Sequence, residues 1–304
     1  MRAYIYRPEE IGLTGWPDGL LRLDGVIPVT DPQEAEVFIC PGPLLLFNEA
    51  RDMDRFPYMN GNEQRHVFFD VSENCTVFQK PCIFIRCNLK TWMKAQDPNS
   101  ISFPWPVENY AECVDVPEGG FTYDVSFHGW LSCATRFDAT DACRSQPNLT
   151  CDLALYSNFT GAIYYDQEGI RRRAEFRRSM RQSRVCLCPE SIPGDFPYRF
   201  FEAMSAGRVP VLVGRNQVFP FADEIPYDEF SLKIDVDDVR FTGYLIKAFL
   251  DKTTDVELKS KGALAREYWL KYLNRDNWPK IMMYAVRKKF KEFGYLNEEP
   301  VICV

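Results

Sequence analysis

The sequence lacks any long apolar run. No segment approaches the roughly 18 uninterrupted apolar residues that a membrane-spanning helix needs. The N-terminal stretch MRAYIYRPEEIG also lacks the apolar core and cleavage site of a secretory signal. These absences predict a soluble chain with no transmembrane segment and a cytoplasmic location.

Histidine is scarce, since the chain has only His66 and His128, beside eleven cysteines. The cysteines are odd in number and form no CxxC pair, which argues against a disulfide framework. Cys186 and Cys188 would share one face of a strand, but no ligand spacing supports a zinc site. We therefore expect buried free thiols in a reducing compartment, and no bound metal.

An excess of positive charge is also absent. The formal net charge is −7 and the sequence pI is about 5.1, so nucleic acid and anionic lipid are poor candidate partners. The seven arginines of residues 171–184 are interpreted as the solvated face of a helix. Neither GxxxxGK[ST] nor GxGxxG after a strand occurs, which argues against phosphoryl-transfer and dinucleotide enzymes.

What the sequence does contain is an alternation of short apolar runs and helical patterns. Runs such as HVFFDV, CIFIRC, VCLCP and VPVLVG each end at Pro, Gly or a polar residue, as strands do. Helical patterns between some of them predict an α/β fold. With 304 residues the chain is long enough for two domains, and the acidic, proline-containing segment 90–120 predicts a boundary near residue 118.

The stretch FPYRFFEAMSAGRVPVLVG, residues 196–214, carries charged residues next to a buried strand. It predicts a helix over Tyr198–Ala206, capped by Asp195 and stopped at Gly207, followed by a parallel strand covered on both faces. Arg199 and Glu202 are three residues apart and share one helix face. Because the loop before this helix follows another apolar strand, the pair is expected at the carboxyl edge of a sheet, where ligands bind.

From YRFFEAMSAGRVPVLVG through FPFADEIPYDEFSLKI, the sequence resembles the exostosin family of glycosyltransferases. The residues that carry the resemblance are Leu187-Cys-Pro189, Arg199-Phe-Phe-Glu202-Ala203, Gly207, Pro210-Val211, Pro220-Phe221 and Phe230-Ser231. YIYRP and DPQEAEVFICP resemble early family segments, and YDVSFHG with Arg136 downstream is similar to the first donor-domain strand. Around QRHVFFDVSEN the family usually shows an Asp-His and then a His-Asp; here His66 is retained and Ser72-Glu73 replaces the second pair.

The resemblance implies a GT-B architecture, in which two Rossmann-like domains face each other across a cleft. Residues 1–118 would form the acceptor-side domain, residues 119–279 the donor-binding domain, and a helix within 280–304 would pack back on the first. The implied reaction is inverting transfer from a UDP-sugar (UDP-xylose, UDP-galactose or UDP-glucuronate) to a hydroxyl of an oligosaccharide or glycoprotein glycan, without a metal or other cofactor. The alternative is an inactive carbohydrate- or nucleotide-binding module of the same fold.

The substrate-binding residues follow from the family motif and from the chemistry of a nucleotide sugar. Glu202 is expected to accept hydrogen bonds from ribose hydroxyls, while Arg199 and the helix N-terminus would stabilise the leaving diphosphate. Arg136 is a second candidate for the diphosphate. Pro189, at the strand end, and Tyr198, at the helix start, complete the set. A structural ion pair is the alternative interpretation of Arg199 and Glu202.

Inversion needs a base that takes the proton of the acceptor hydroxyl. Asp70 and Glu73 stand where HVFFDV ends, at the carboxyl edge of an N-terminal strand, and are the first candidates. Each is equally compatible with a carboxylate that caps a turn or a helix. His128, at a strand end before a glycine, is the third candidate.

Overall fold

The protein forms two compact α/β units. The computed structural model describes residues 1–7, 10, 24–43, 53, 55–70, 76–78, 80–157 and 167–301. Unit 1 contains Met1–Trp105, Gln217–Phe221 and Arg275–Val304, and unit 2 contains Pro106–Asn216 and Ala222–Asn274. Each unit is built on its own parallel sheet, so the predicted pair of Rossmann-like α/β domains is confirmed.

Unit 1 contains a six-stranded parallel sheet. Its strands are β1 (Arg2–Ile5), β2 (Ile27–Val29), β3 (Val37–Pro43), β4 (His66–Asp70), β5 (Ile83–Arg86) and β6 (Ser100–Ser102), in the order β2-β1-β3-β4-β5-β6. Its helices are α1 (Thr91–Gln96) and α8 (Trp278–Glu292). The central strands β4 and β5 are buried at every residue, as the apolar runs Val67–Phe69 and Ile83–Ile85 within them predict.

The two faces of the unit 1 sheet bury different aromatic groups. Phe68 packs into a cluster of tyrosine and phenylalanine rings, whereas its neighbour Phe69 points to the opposite face. There Phe69 and Phe103 make edge-on contacts with Trp278, with ring centres 5.7 and 5.1 Å away. Trp278 begins α8, which explains why the C-terminal helix belongs to unit 1.

Unit 2 contains a five-stranded parallel sheet. Its strands are β7 (Tyr123–Trp130), β8 (Cys151–Tyr156), β9 (Ser183–Pro189), β10 (Val209–Val213) and β11 (Leu232–Ile234), in the order β11-β10-β9-β7-β8. Its helices are α2 (Ala134–Ser145), α3 (Gln167–Gln182), α4 (Tyr198–Ser205), α5 (Tyr227–Phe230), α6 (Thr242–Leu250) and α7 (Asp255–Tyr268). From β7 the chain continues to β8 on one side and then returns to β9 on the other. This reversal creates a topological switch point between β7 and β9.

The division between the units falls earlier than residue 118. Residues 106–118 belong to unit 2, where the buried guanidinium of Arg208 donates to the carbonyls of Cys113 (2.6 Å) and Val114 (3.2 Å). A buried guanidinium needs such acceptors, so this segment is fixed to the second unit. Nothing in its acidic, proline-containing sequence indicated that partner.

The turn after α4 requires glycine at two places. Gly207 has φ +65°, a left-handed conformation that stops the helix as predicted, and its N–H donates to Met204 O at 3.0 Å. Helix α7 crosses this turn at Gly262, where a Cβ atom would lie 2.1 Å from Gly207 O. The close approach of two backbones therefore depends on the absence of a side chain at Gly262.

Candidate functional site

The candidate site lies at the switch point of unit 2. The β7–β9 register runs from Tyr123–Ser183 to Ser126–Cys186, and β9 continues beyond it to Pro189. Helix α2 follows β7 and helix α4 follows β9, so both helices begin near the carboxyl ends of adjacent strands. Ligands of open α/β sheets bind in the crevice at this place.

Arg136 and Arg199 flank one aromatic ring. Their guanidinium carbons lie 5.8 and 5.6 Å from the centre of Phe127, at cation–π distance. Each residue belongs to the first turn of its helix, α2 or α4. Two cations from different helices therefore converge on one point of the sheet edge.

The ring of Phe127 occupies space that is available only because residue 129 is a glycine. A Cβ atom at Gly129 would lie 2.6 Å from the ring carbon Cζ of Phe127. This close contact gives a physical reason for glycine in the YDVSFHG motif. Arg136 is fixed independently, because its Nη1 donates to Trp130 O at 2.8 Å.

Arg199 and Glu202 form an ion pair along α4. Nε of Arg199 lies 3.1 Å from Oε2 of Glu202, and the side chains are 16% and 18% exposed. Nη2 of Arg199 donates to His128 O at 2.6 Å, and its guanidinium carbon lies 3.7 Å from the centre of the Phe176 ring. The ion pair that was the alternative interpretation therefore exists, and it lies at the sheet edge.

Tyr110 is a member of the site that the sequence analysis missed. Its hydroxyl donates to Oε1 of Glu202 at 3.0 Å, while its side chain is buried. Burial, and secondarily the negative charge of Glu202, raise the pKa of Tyr110, so the hydroxyl stays a donor. No signal in the sequence pointed to Tyr110, because it lies before every motif of the donor domain.

The N-termini of α2 and α4 have no side-chain caps. The cap residue of α4 is Pro197, not the predicted Asp195, and that of α2 is Cys133; neither accepts a bond from its helix through its side chain. Proline cannot accept such a bond, so Asp195 would have to reach in from two residues further away. No cap side chain therefore neutralises the positive ends of the two helix dipoles, although the Phe200 N–H in the first turn of α4 donates to Pro197 O at 3.0 Å.

Pro189 and Tyr198 bracket the loop that leads into α4. Pro189 ends β9 beside Val213, and Tyr198 is 47% exposed at the first helical position. Glu190, the next residue after the strand, is buried and accepts a bond from Gly194 N at 2.9 Å. The loop is therefore fixed from within, and the Tyr198 ring is left accessible at its end.

His128 has partners at both ring nitrogens. Nε2 lies 3.0 Å from Oδ1 of Asp152, and Nδ1 lies 3.3 Å from the hydroxyl of Tyr156. The residue is 8% exposed, and Arg172 covers the Tyr156 ring at 4.4 Å. Asp152 and Tyr156 were not identified from the sequence. Their contacts with the two ring nitrogens fix the orientation of the His128 imidazole.

Asp70 lies in unit 1, at the end of β4 as predicted. It forms a buried ion pair with Arg86, at 2.8 Å from Nη1, and the two side chains are 5% and 2% exposed. Arg86 also stacks on the Phe84 ring at 5.1 Å and donates through Nε to the Ser100 hydroxyl. Asp70 therefore has a structural partner, but this partner is an arginine on the neighbouring strand and not the turn or helix that the alternative interpretation had the carboxylate cap. The other predicted base, Glu73, lies outside the described residues.

Several arginines of α3 form ion pairs with carboxylates. Arg171 pairs with Glu168 and Glu175 on the same helix. Arg177 reaches Glu108 and Glu112 at 2.9 and 3.3 Å. These contacts neutralise part of the positive charge of α3.

The described part of the chain contains no sign of a membrane span, a metal centre or a disulfide. No helix there is long and apolar enough to cross a bilayer. No group of three or more His, Cys, Asp or Glu side chains there is arranged to hold a metal ion. The nine cysteines within these ranges are free thiols, and seven of them are buried.

Residues 127–249 match the family described as the exostosin GT47 domain. The match begins at Phe127 and includes Arg136, Arg199 and Glu202. It confirms the resemblance that the sequence motifs indicated.

Several known proteins are similar to a part of this chain. A probable glycosyltransferase of Arabidopsis thaliana is 32% identical over 88 residues, 29% of this chain and 16% of the relative. A probable glucuronosyltransferase of Oryza sativa subsp. japonica is 35% identical over 86 residues, 28% of this chain and 19% of the relative. A probable beta-1,4-xylosyltransferase of Arabidopsis thaliana is 30% identical over 88 residues, 29% and 21% of the two chains. The matched stretches thus span less than a quarter of each relative.

Among solved structures, the Anabaena protein Alr3699/HepE in complex with UDP-glucose aligns with a TM-score of 0.48 and 10% identity, over 86% of this chain and 79% of that chain.

Proposed function

We propose that this protein is a glycosyltransferase that moves a sugar from a UDP-sugar to a hydroxyl group of a glycan. The observation that carries the proposal is the convergence of Arg136, Arg199 and Glu202 at the switch point of unit 2, inside the segment that matches the exostosin GT47 domain. The arrangement offers a carboxylate, two guanidinium groups and two uncapped helix N-termini at one sheet edge. These are the groups that a sugar nucleotide requires.

Glu202 is proposed to bind the ribose. Each oxygen of its carboxylate has one protein partner, Tyr110 or Arg199, and each keeps a further lone pair for a ligand hydroxyl. A charged acceptor forms stronger hydrogen bonds than a neutral one. The partial exposure of the side chain allows a ligand to reach it.

The diphosphate is proposed to lie over the starts of α2 and α4. Arg136 and Arg199 supply fixed positive charge there, and the positive ends of both helix dipoles lie at the same edge without a side-chain cap. Negative charge grows on the leaving diphosphate as the glycosidic bond breaks, so these groups stabilise the transition state more than the ground state. A metal ion is not part of this proposal.

The donor is proposed to be UDP-xylose, UDP-galactose or UDP-glucuronate. The glucuronosyltransferase and xylosyltransferase names of the relatives support two of these three. The acceptor is proposed to be the glycan of an oligosaccharide or a glycoprotein. The alternative of an inactive binding module would retain nucleotide affinity without turnover.

Inversion with a protein base is also part of the proposal. The base must take a proton from the acceptor hydroxyl as that oxygen attacks the sugar carbon. Among the candidates, Asp70 is held by Arg86 in a buried ion pair and His128 is held by Asp152 and Tyr156. Glu73 is therefore the first candidate to test.

Calorimetry with UDP, GDP and CMP tests the donor-binding step. UDP is expected to bind most tightly, and preference for GDP would contradict the proposal. Incubation with the three UDP-sugars and a panel of glycan acceptors then tests transfer, with slow hydrolysis of the donor as a second readout. Activity should persist in EDTA; loss with chelator and recovery with Mn²⁺ would contradict the metal-independent mechanism.

A further inference from the structure

The segment 108–114 is hydrogen-bonded to helix α4, which carries the candidate binding residues Arg199 and Glu202. The Ser205 hydroxyl at the end of α4 donates to Glu108 O at 2.7 Å and accepts from Tyr110 N at 2.9 Å. Asn109 accepts from Arg266 at 3.0 Å. The buried Arg208 guanidinium holds the far end of the segment through Cys113 O. These bonds determine where the Tyr110 ring lies relative to α4.

The Tyr110 ring is packed as well as tethered. It makes an edge-on contact with Phe176, with ring centres 5.9 Å apart. The guanidinium carbon of Arg177 lies 5.5 Å from the centre of the Tyr110 ring. Phe176 is also the ring on which Arg199 stacks, at 3.7 Å. Tyr110 and Arg199, which both contact Glu202, therefore pack against the same aromatic side chain, that of Phe176.

The carboxylate of Glu202 is held at both oxygens from two directions. Tyr110 holds Oε1 from outside the helix, and Arg199 holds Oε2 from the preceding turn. Rotation of the carboxyl group about its last bond would break one contact or both. One hydrogen bond and one ion-pair contact therefore orient the carboxylate, and an oriented pair of acceptor oxygens suits a vicinal diol rather than a single hydroxyl.

We propose that Tyr110 is a positioning residue, whose hydroxyl orients Glu202 toward the ribose diol and thereby makes the site select ribonucleotides over deoxyribonucleotides. This inference rests on the proposed function, because it takes Glu202 as the ligand of the ribose. It adds a determinant that lies outside residues 127–249, the segment matched by the family.

Tyr110→Phe isolates the role of the hydroxyl, since the ring contacts with Phe176 and Arg177 are retained. The test is calorimetry on the full chain with UDP, 2′-deoxy-UDP and 3′-deoxy-UDP. The unmodified protein is expected to bind UDP at least about tenfold more tightly than either analogue, because a missing hydroxyl leaves the partly buried carboxylate of Glu202 with an unused acceptor. In Tyr110→Phe, UDP affinity should fall roughly fivefold and the affinity for the analogues much less.

The ratio of affinities separates positioning from a structural role. A general disturbance of unit 2 would weaken UDP and its analogues equally and leave the ratio unchanged. Glu202→Gln should remove the discrimination, and adding Tyr110→Phe to that variant should have no further effect on the ratio. An additive effect in the double variant would overturn the inference.

Tyr6→Phe is the matched control. The Tyr6 hydroxyl is also buried and also bonded to a titratable side chain, His66 at 2.8 Å, but it belongs to unit 1. Its loss should lower stability and leave the UDP ratio unchanged. If UDP fails to bind the unmodified protein, the proposed function is wrong. If UDP binds and Tyr110→Phe keeps full discrimination, the positioning role alone is wrong.

Discussion

Arg199 and Glu202 lie one turn apart on α4 with Nε and Oε2 separated by 3.1 Å, yet the contact is more than a local helix pair. Arg199 also bonds to the carbonyl of His128 on β7, and Glu202 also bonds to Tyr110. The pair therefore joins a helix, a strand and the segment 106–118 at the start of unit 2. A structural role and a binding role are compatible here, because the same contacts that hold the carboxylate also orient it.

Glu202→Gln is expected to weaken UDP binding about 30- to 150-fold, equivalent to about 2–3 kcal/mol, because charge-assisted hydrogen bonds to the ribose are lost. The variant should also lower the free energy of unfolding by about 1–2 kcal/mol, since Arg199 keeps its charge in a partly buried position without its partner. Calorimetry and urea denaturation measure the two effects. If the affinity for UDP were unchanged, the ion pair with Arg199 would be the whole role of Glu202, and the proposed binding of the ribose would be wrong.

Glu257 provides the control for this prediction. It is the carboxylate of a capping box at the start of α7, where it accepts from Thr254 N at 2.7 Å. Glu257→Gln removes a carboxylate with a local backbone role in the same unit. Its UDP affinity should equal that of the unmodified protein.

Arg136→Gln is expected to weaken the binding of UDP about tenfold and that of uridine hardly at all, because we propose that the diphosphate, and not the nucleoside, lies beside this guanidinium. Arg144→Gln is the matched control, since Arg144 also lies on α2 and also donates to a carbonyl, that of Leu153 at 3.1 Å. Calorimetry with both ligands measures the contrast. If the affinities for UDP and for uridine fell equally, the substitution would act by disturbing the fold and not by removing a contact with the diphosphate.

Local sequence patterns were sufficient for the elements around this site. The apolar, largely β-branched run of β10, the stop at Gly207 and the helix between Tyr198 and the stop all follow from short-range preferences, and the structure has them. The position of Arg199 and Glu202 on one face follows from helical periodicity. These features require no knowledge of distant contacts.

Long-range partners could not be predicted in the same way. Tyr110 reaches Glu202 across 92 positions of sequence, and Arg208 fixes Cys113 across 95. The burial of Asp70 depends on its neighbour Arg86, on the next strand of the sheet. Spacing along a chain contains no information about such pairs, so the domain boundary, the cap of α4 and the positioning residue all required the structure.

Asp70→Asn is expected to destabilise unit 1 by about 3–5 kcal/mol, because Arg86 would keep a buried charge without its partner. Urea denaturation measures the loss. Lost activity in this variant counts as evidence for a base only when corrected for the folded fraction. If the free energy of unfolding changed by less than about 1 kcal/mol, the ion pair with Arg86 would not be an important stabilising contact, and the structural role of Asp70 would be contradicted.

Glu73→Gln tests the first candidate for the base. We expect turnover to fall about 10²- to 10⁴-fold with UDP affinity near that of the unmodified protein, because a base acts on the acceptor and not on the nucleotide. Steady-state kinetics at saturating acceptor, with calorimetry beside it, separates the two. Near-normal turnover in Glu73→Gln and in folded Asp70→Asn would leave His128 as the next residue to test.

The pH dependence of stability should contain a contribution from His66. Burial lowers the pKa of His66 to about 4, and its neutral ring donates through Nδ1 to Asn62 O and accepts at Nε2 from Tyr6. Because the unfolded chain binds the proton near pH 6.5, the contribution is complete above that pH and is lost as pH falls from 6.5 to 4. The total is on the order of 3 kcal/mol. Urea denaturation at pH 7.5, 5.5 and 4.5 should show this loss in the unmodified protein and in His128→Gln, which keeps His66, but not in His66→Gln. An equal loss in all three proteins would assign the dependence to other groups.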